Sequence, residues 1–151
     1  MLIRVTPERL NPEEAIEAVR RDESGAVDVF LGVVRNTNKG RAVDHLVYDA
    51  YPSMAEKTMR ELAEEAVERF DLADSAVLHR TGRLEIGETS LLVAVSAGHR
   101  AATFEAGHWL VNEIKRRVPV WKKEVWADGE EWIEGPESLG MERAPATMRG
   151  S

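Results

Sequence analysis

Apolar and polar residues alternate in blocks, and the period of each block predicts an element. Asn11, Pro12, Glu13 and Glu14 read as an N-cap, a proline at the first helical position and early acids. They predict a short helix to about Arg21, closed by Ser24-Gly25. Val27 to Val34 is β-branched and apolar with Asp28 as its one charge, which predicts a buried strand. Asn36 to Gly40 (NTNKG) predicts a turn or loop, and Asp44 to Tyr51 alternates as a second strand that Pro52 ends. Ser53 and Glu56 have capping-box spacing. Behind them Met59, Leu62, Ala63, Ala66, Val67 and Phe70 fall on one helical face. Ala76 to His79 and Thr89 to Ala97 predict two more strands, separated by turn signals at Gly82 and Gly87. A third helix is expected from Ala101 to Arg117, before Pro119. Asp128-Gly129, between apolar residues in Val125 to Ile133, predicts a hairpin.

The order is therefore helix, strand, strand, helix, strand, strand, helix, strand, strand. Short links between neighbouring strands favour antiparallel pairing, so the expected class is α+β with three main helices. Residues 1–134 are expected to form a single domain. Gly135 to Ser151 holds two prolines and three glycines with few core residues, and reads as a mobile tail.

Composition narrows the function classes. The 151 residues are 43% hydrophobic and 31% charged, which is globular usage. The longest uncharged stretch, Thr89 to His99 with His neutral, is eleven residues, against about 18 for a bilayer span. MLIRVTPERL lacks the apolar run of a secretory leader, so the expected location is cytoplasmic. No cysteine is present, which excludes disulfides, thiolate metal sites, a catalytic cysteine and any persulfide carried on this chain. The four histidines have no zinc spacing, so no metal site is expected. No glycine-rich nucleotide fingerprint occurs.

The net charge of −7 argues against non-specific nucleic-acid binding. It hides two basic islands: His99 to Lys123 carries six Lys/Arg against two Glu, and Val33 to Ala42 carries Arg35, Lys39 and Arg41 with no acid. Either the islands are solvated faces or they serve a small anion. On the third helix, Phe104, Gly107, Leu110, Val111, Ile114 and Val118 share an apolar arc. Lys115 falls about 20° from Phe104 at its edge, where it either snorkels or is partly desolvated. Glu113 is spaced to pair with Arg117, and Trp109 lies on the polar side as a candidate subunit contact. His99-Arg100 opens that helix, where a cation opposes the helix dipole unless an anion binds. Lys122 and Lys123 are adjacent on an extended segment, so one faces the site when the other is solvated. Arg35 ends the strand that includes Val33 and Val34.

These segments carry a family resemblance. VVRN (33–36), YPSMAEK (51–57), HRTG (79–82), AGHR (97–100), FEAG (104–107) and K-x-x-x-P-x-W-K-K-E from Lys115 to Glu124 resemble the large, catalytic subunit of molybdopterin synthase. The resemblance runs from about residue 3 to 134, and the tail has no clear match. It implies an α/β hammerhead-like fold with mostly antiparallel strands. It also implies a cytoplasmic sulfurtransferase of molybdenum cofactor biosynthesis that converts cyclic pyranopterin monophosphate (precursor Z) into the molybdopterin dithiolene. Sulfur would come from a small ubiquitin-like partner whose Gly-Gly tail ends in a thiocarboxylate. Two large subunits would form a homodimer at the core of a heterotetramer, with no cofactor.

By the same resemblance Lys115 and Lys122 are the catalytic lysines. Arg35 lines the substrate pocket beside Val33 and Val34. His99 and Arg100 bind the pterin phosphate from the neighbouring chain, and Lys123 and Glu124 complete the W-K-K-E segment. Some relatives carry a basic residue a few positions past W-x-E, where this chain has Gly135-Pro136. The chain's end, Met148-Arg149-Gly150-Ser151, is not a carrier tail, which puts it on the acceptor side. Two other classes remain open to test: a non-catalytic phosphoanion-binding module, and a scaffold that receives a ubiquitin-like tail.

Overall fold

The structure is a computed structural model that describes residues 1–136. The expected tail therefore lies, from residue 137 on, outside the described residues. The elements run β1 (Leu2–Thr6), α1 (Pro12–Val19), β2 (Ala26–Val33), β3 (Thr37–Asn38), β4 (Arg41–Ala42), β5 (His45–Ala50), α2 (Pro52–Phe70), β6 (Asp74–Arg80), β7 (Gly82–Glu85), β8 (Thr89–Ala97), α3 (Arg100–Arg117), β9 (Val120–Trp126) and β10 (Gly129–Glu134). No helix among them is long and apolar enough to cross a membrane.

Two sheets carry the fold. The first has the order β1-β6-β8-β2 and the second β10-β9-β5-β7, while β3 and β4 form a small separate hairpin. Pairing is antiparallel except between β1 and β6. The α+β class with mostly antiparallel strands and three helices is the observed one.

Side-chain alternation explains the layers. Val77, Val93 and Val95 project from one face of the first sheet into a core closed by Met59, Leu62 and Ala66 of α2 and Ala106, Leu110 and Ile114 of α3. Ala76, Leu78, Leu92 and Ala94 project from the other face onto Ala15 and Val19 of α1. A third cluster, Val34, Val43, Leu46 and Leu84, lies against the second sheet.

Several local expectations change. The Ser53–Glu56 capping box does not form. Tyr51 is the N-cap of α2, without a side-chain cap bond, and Pro52 takes the first turn because its fixed φ suits that position. Glu56 instead accepts a 2.8 Å hydrogen bond from the Val5 backbone N–H, joining α2 to β1. The Asn11 cap does form, with Oδ1 accepting from the Glu13 N–H. The apolar arc of α3 is rotated: Thr103, Ala106, Gly107, Leu110 and Ile114 are buried, while Phe104 is 59% exposed. Small residues let the helix approach the sheet, and a Cβ on Gly107 would stand 3.2 Å from the Asp28 carboxylate. Trp109 is half-buried, tilted against Phe70 at 5.8 Å, so it seals the contact between α2 and α3. The Glu113–Arg117 pair forms at 3.0 Å.

Candidate functional site

The second sheet, β8 and the end of α3 meet around a set of small cavities. The innermost, about 80 Å³, is bordered by Phe30, Gly32, Tyr48, His79, Ser90, Lys115 and Lys122. A neighbouring space of about 140 Å³ adds Val33, Arg35, Asn38 and Glu124. A wider groove of about 740 Å³ extends past Lys39 and Arg41 to Trp126 and Trp132. Lys115 and Lys122 border all three, so their side chains mark the junction.

Strand geometry sets which side chains face this site. On β9, Val120, Lys122, Glu124 and Trp126 share the cavity side. Lys123 projects the other way, where its ammonium pairs with Glu130 at 2.7 Å and lies 5.3 Å from the Trp132 ring. The two adjacent lysines thus divide as their alternation implies. Lys122 stands directly across from Tyr48 on β5, so both project toward the cavity.

Glu124 is 3% exposed. Its carboxylate accepts from Asn38 Nδ2 at 2.9 Å and from the indole N–H of Trp126. Arg41 stacks over Trp126 at 3.9 Å. Both contacts hold the β3–β4 hairpin against β9, although β3 and β4 make no ladder with the second sheet.

The edge of the first sheet brings in the remaining residues. Val33 is 55% exposed and borders the site, whereas Val34 is 2% exposed and packs with Val43, Leu46 and Leu84. The Val34 side chain is a core group; its backbone bonds to Glu88 and Gly87 hold the strand end that carries Arg35. Arg35 is exposed along the site rim. Lys115 is also exposed in the isolated chain, so the desolvated alternative does not describe it.

His99 and Arg100 stand elsewhere. Both are exposed at the start of α3, where His99 is the N-cap without a side-chain cap bond. At 1.5 Å rise per residue, Arg100 is about 22 Å along the helix from Lys115. No single chain brings that pair to the two lysines.

His79 and Tyr48 are site-bordering residues that sequence reasoning did not single out. His79 is buried at the end of β6, and its Nδ1 donates to the Arg80 carbonyl at 2.9 Å. Burial pushes its pKa down to about 4, with the nearby Lys115 charge adding to the effect against the opposing bond to Arg80. Its ring meets Tyr48 edge-on at 5.1 Å. Among the described residues no cluster of acids and histidines has the makings of a metal site.

Comparison with known proteins decides the family. The MoaE protein family matches residues 5–117. The molybdopterin synthase catalytic subunit of Pyrococcus abyssi is 49% identical over 137 residues, covering 91% of this chain and 93% of the relative. The chain belongs to the MoaE family. The molybdopterin synthase catalytic subunit of Bacillus subtilis is 40% identical over 129 residues, covering 85% of this chain and 82% of its own.

Solved structures of this family share the fold. Molybdopterin synthase from Staphylococcus aureus superposes with a TM-score of 0.84 at 36% identity, covering 87% of this chain and 96% of that one. A complex of subunits 1 and 2 of molybdopterin-converting factor from Helicobacter pylori matches at TM-score 0.69 and 20% identity, covering 93% of this chain and 91% of its own. That last likeness is one of fold. The MoaE match ends at Arg117, before the segment that carries Lys122 and Glu124, but the Pyrococcus and Bacillus alignments each cover more than four-fifths of the chain.

Proposed function

We propose that this chain is the catalytic subunit of a molybdopterin synthase, transferring sulfur from a thiocarboxylated small subunit to cyclic pyranopterin monophosphate. The catalytic unit is residues 1–134. The observation that carries the reading is the meeting of Lys115, Lys122 and Arg35, from three separate segments, around one set of cavities in a MoaE-family fold.

The chemistry follows from those groups. The substrate is a phosphate-bearing anion, and three cations on a partly enclosed surface favour it electrostatically. The chain has no cysteine, so sulfur arrives on a partner, a small ubiquitin-like carrier ending in a Gly-Gly thiocarboxylate. The thiocarboxylate sulfur attacks the pterin side-chain carbon, the cyclic phosphate opens as the C–S bond forms, and water then cleaves the acyl–sulfur bond, leaving the sulfur on the pterin and a carboxylate on the carrier. Lys115 acts as general acid/base or holds the acyl-linked intermediate. Lys122 and Arg35 neutralise negative charge as it develops. Glu124 keeps the hairpin wall of the groove in place, and Val33 forms part of the rim. Lys123, tied to Glu130, supports the strand from its other face.

The phosphate anchor comes from a second copy of the chain. β2 is the outer strand of the first sheet, and Val27, Phe30, Leu31 and Val33 are exposed along it. Its first residue, Ala26, pairs with Ala97, beside His99 and Arg100; its last, Val33, pairs with Thr89 at the site. The strand spans about 23 Å between those ends, close to the separation of Arg100 from Lys115 along α3. A two-fold axis beside the middle of β2 and normal to the first sheet would bring one copy's His99 and Arg100 to the other copy's Lys115 and Arg35. Such a homodimer, with a small subunit on each copy, is the expected heterotetramer.

The test is a mass-spectrometric assay of the purified chain with thiocarboxylated small subunit and cyclic pyranopterin monophosphate. A product with two added sulfurs, absent with Lys115→Ala although the subunits still associate, supports the reading. Assembly and substrate binding without sulfur transfer would instead make the chain a phosphoanion-binding module or a tail receptor.

A further inference from the structure

The sulfur-transfer reading leaves a buried ionisable side chain at the innermost cavity without a part. His79 sits at the end of β6 with its Nδ1 proton committed to the Arg80 carbonyl at 2.9 Å. That bond fixes the ring and leaves Nε2 as the acceptor nitrogen. The ring packs edge-on against Tyr48 at 5.1 Å and an interplanar angle of 64°. Tyr48 is in turn the cross-strand neighbour of Lys122. His79, Tyr48, Lys115 and Lys122 all border the same cavity of about 80 Å³.

We propose that His79 is a positioning residue for the catalytic lysines: its ring, held by the Arg80 carbonyl, braces Tyr48 beside Lys122 and offers Nε2 as the hydrogen-bond acceptor that orients the Lys115 ammonium during turnover. The inference rests on the sulfur-transfer reading for what the lysines do, but not for where they stand.

The physical case is one of charge economy. The groups facing His79 are Lys115 from α3, Lys122 from β9 and Tyr48 from β5. On its own strand, Arg80 is directed to Glu88 at 3.0 Å and to the Pro7 carbonyl. A carboxylate at position 79 would orient an ammonium equally well, but it would cancel the positive field that holds an anionic substrate. A cation there would add repulsion between like charges. A neutral imidazole orients the ammonium and leaves the field intact. Burial together with the Lys115 charge keeps the ring neutral at physiological pH.

Two readouts test this in the full chain. The first is steady-state sulfur transfer in the assembled complex. His79→Phe keeps a ring against Tyr48 and removes the acceptor, and His79→Leu removes the acceptor with a smaller apolar side chain if the phenylalanine variant does not fold. His79→Gln keeps a neutral acceptor. The apolar variants are expected to lower kcat at least about tenfold with substrate KM changed less than about threefold, and His79→Gln to recover most of kcat.

The second readout needs no activity: carbon NMR relaxation of the Lys115 methyl groups after reductive methylation with labelled formaldehyde, in the complex with cyclic pyranopterin monophosphate. Loss of the acceptor is expected to raise the mobility of the Lys115 methyl groups in a folded apolar variant and not in His79→Gln. A folded apolar variant with unchanged kcat and unchanged mobility of the Lys115 methyl groups overturns the proposal. Should even the unmodified chain transfer no sulfur, the catalytic reading fails by itself, and the Lys115 relaxation still decides whether His79 orients that lysine.

Discussion

Asn38 donates through Nδ2 to the Glu124 carboxylate at 2.9 Å, a bond between residues 86 positions apart in the chain. It fastens the β3–β4 hairpin, which carries Lys39 and Arg41, to the strand that carries Lys122. Glu124 is buried, so its removal strips two donors of a charged acceptor. Glu124→Ala is expected to lower stability by about 1.5–3 kcal/mol in urea unfolding. It should also speed amide exchange from Asn38 to Arg41. Unchanged exchange there would mean that the hairpin is held by other contacts.

Gly25 is a packing requirement at the other end of the proposed shared site. A Cβ at this position would lie 2.4 Å from the Gly98 carbonyl oxygen, and the Gly25 N–H donates to Ala97 at 3.0 Å. The obstacle is backbone, so it cannot yield by a rotamer change. Gly25→Ala is expected to cost about 1–3 kcal/mol by overpacking and to shift the residues that lead into His99 and Arg100. Thermal unfolding checks the first effect, and weaker substrate binding at unchanged kcat checks the second.

His79 gives the protein a pH-dependent stability. Its pKa is about 4 when folded against an ordinary 6.5, so the unfolded chain binds more protons between those values. The neutral form's contribution is fully present above pH 6.5 and is lost as pH falls toward 4, by about 3 kcal/mol in total. Denaturant midpoints of the unmodified chain minus those of His79→Gln should therefore decline from pH 7 to pH 4 and then level off. Subtracting the variant removes the contribution of carboxylates that titrate in the same range. A flat difference would contradict the buried, neutral histidine.

Local signals in the sequence were legible where one segment decides its own structure. Asn11 and Pro12 start α1 as their chemistry requires, the apolar positions of α2 face the core, and β8 keeps the bounds Thr89 to Ala97. The opposite projection of Lys122 and Lys123 also follows from strand alternation alone. The failures share a cause in distant contacts. β1 was not foreseen because its five residues include Arg4, and it becomes a strand by pairing in parallel with β6, more than seventy positions away. β7 was read only as turn signals, yet it is a strand because β5 pairs with it. Phe104 looked like a core residue until Thr103, Ala106 and Gly107 proved to be the face that meets the sheet. His79 and Tyr48 carried no signal as a pair, since only the tertiary fold places them ring to ring. Only the resemblance assigned roles to Lys115 and Arg100, and in the proposed dimer the positions of β2 and α3 are what give those two residues one site.

In the proposed dimer each sulfur-transfer site draws Lys115 from one copy and Arg100 from another. Mixed dimers of Lys115→Ala and Arg100→Ala chains, each inactive or severely impaired alone, distinguish that shared site from one built within a single chain. In a mixed dimer one site carries both defects and the other carries neither. Dithiolene formation by the purified mixed dimer should then recover to about half that of the unmodified dimer, a return of one intact site of two. Mixed dimers no more active than their parents would contradict the shared site and return Arg100 to the surface of a single chain.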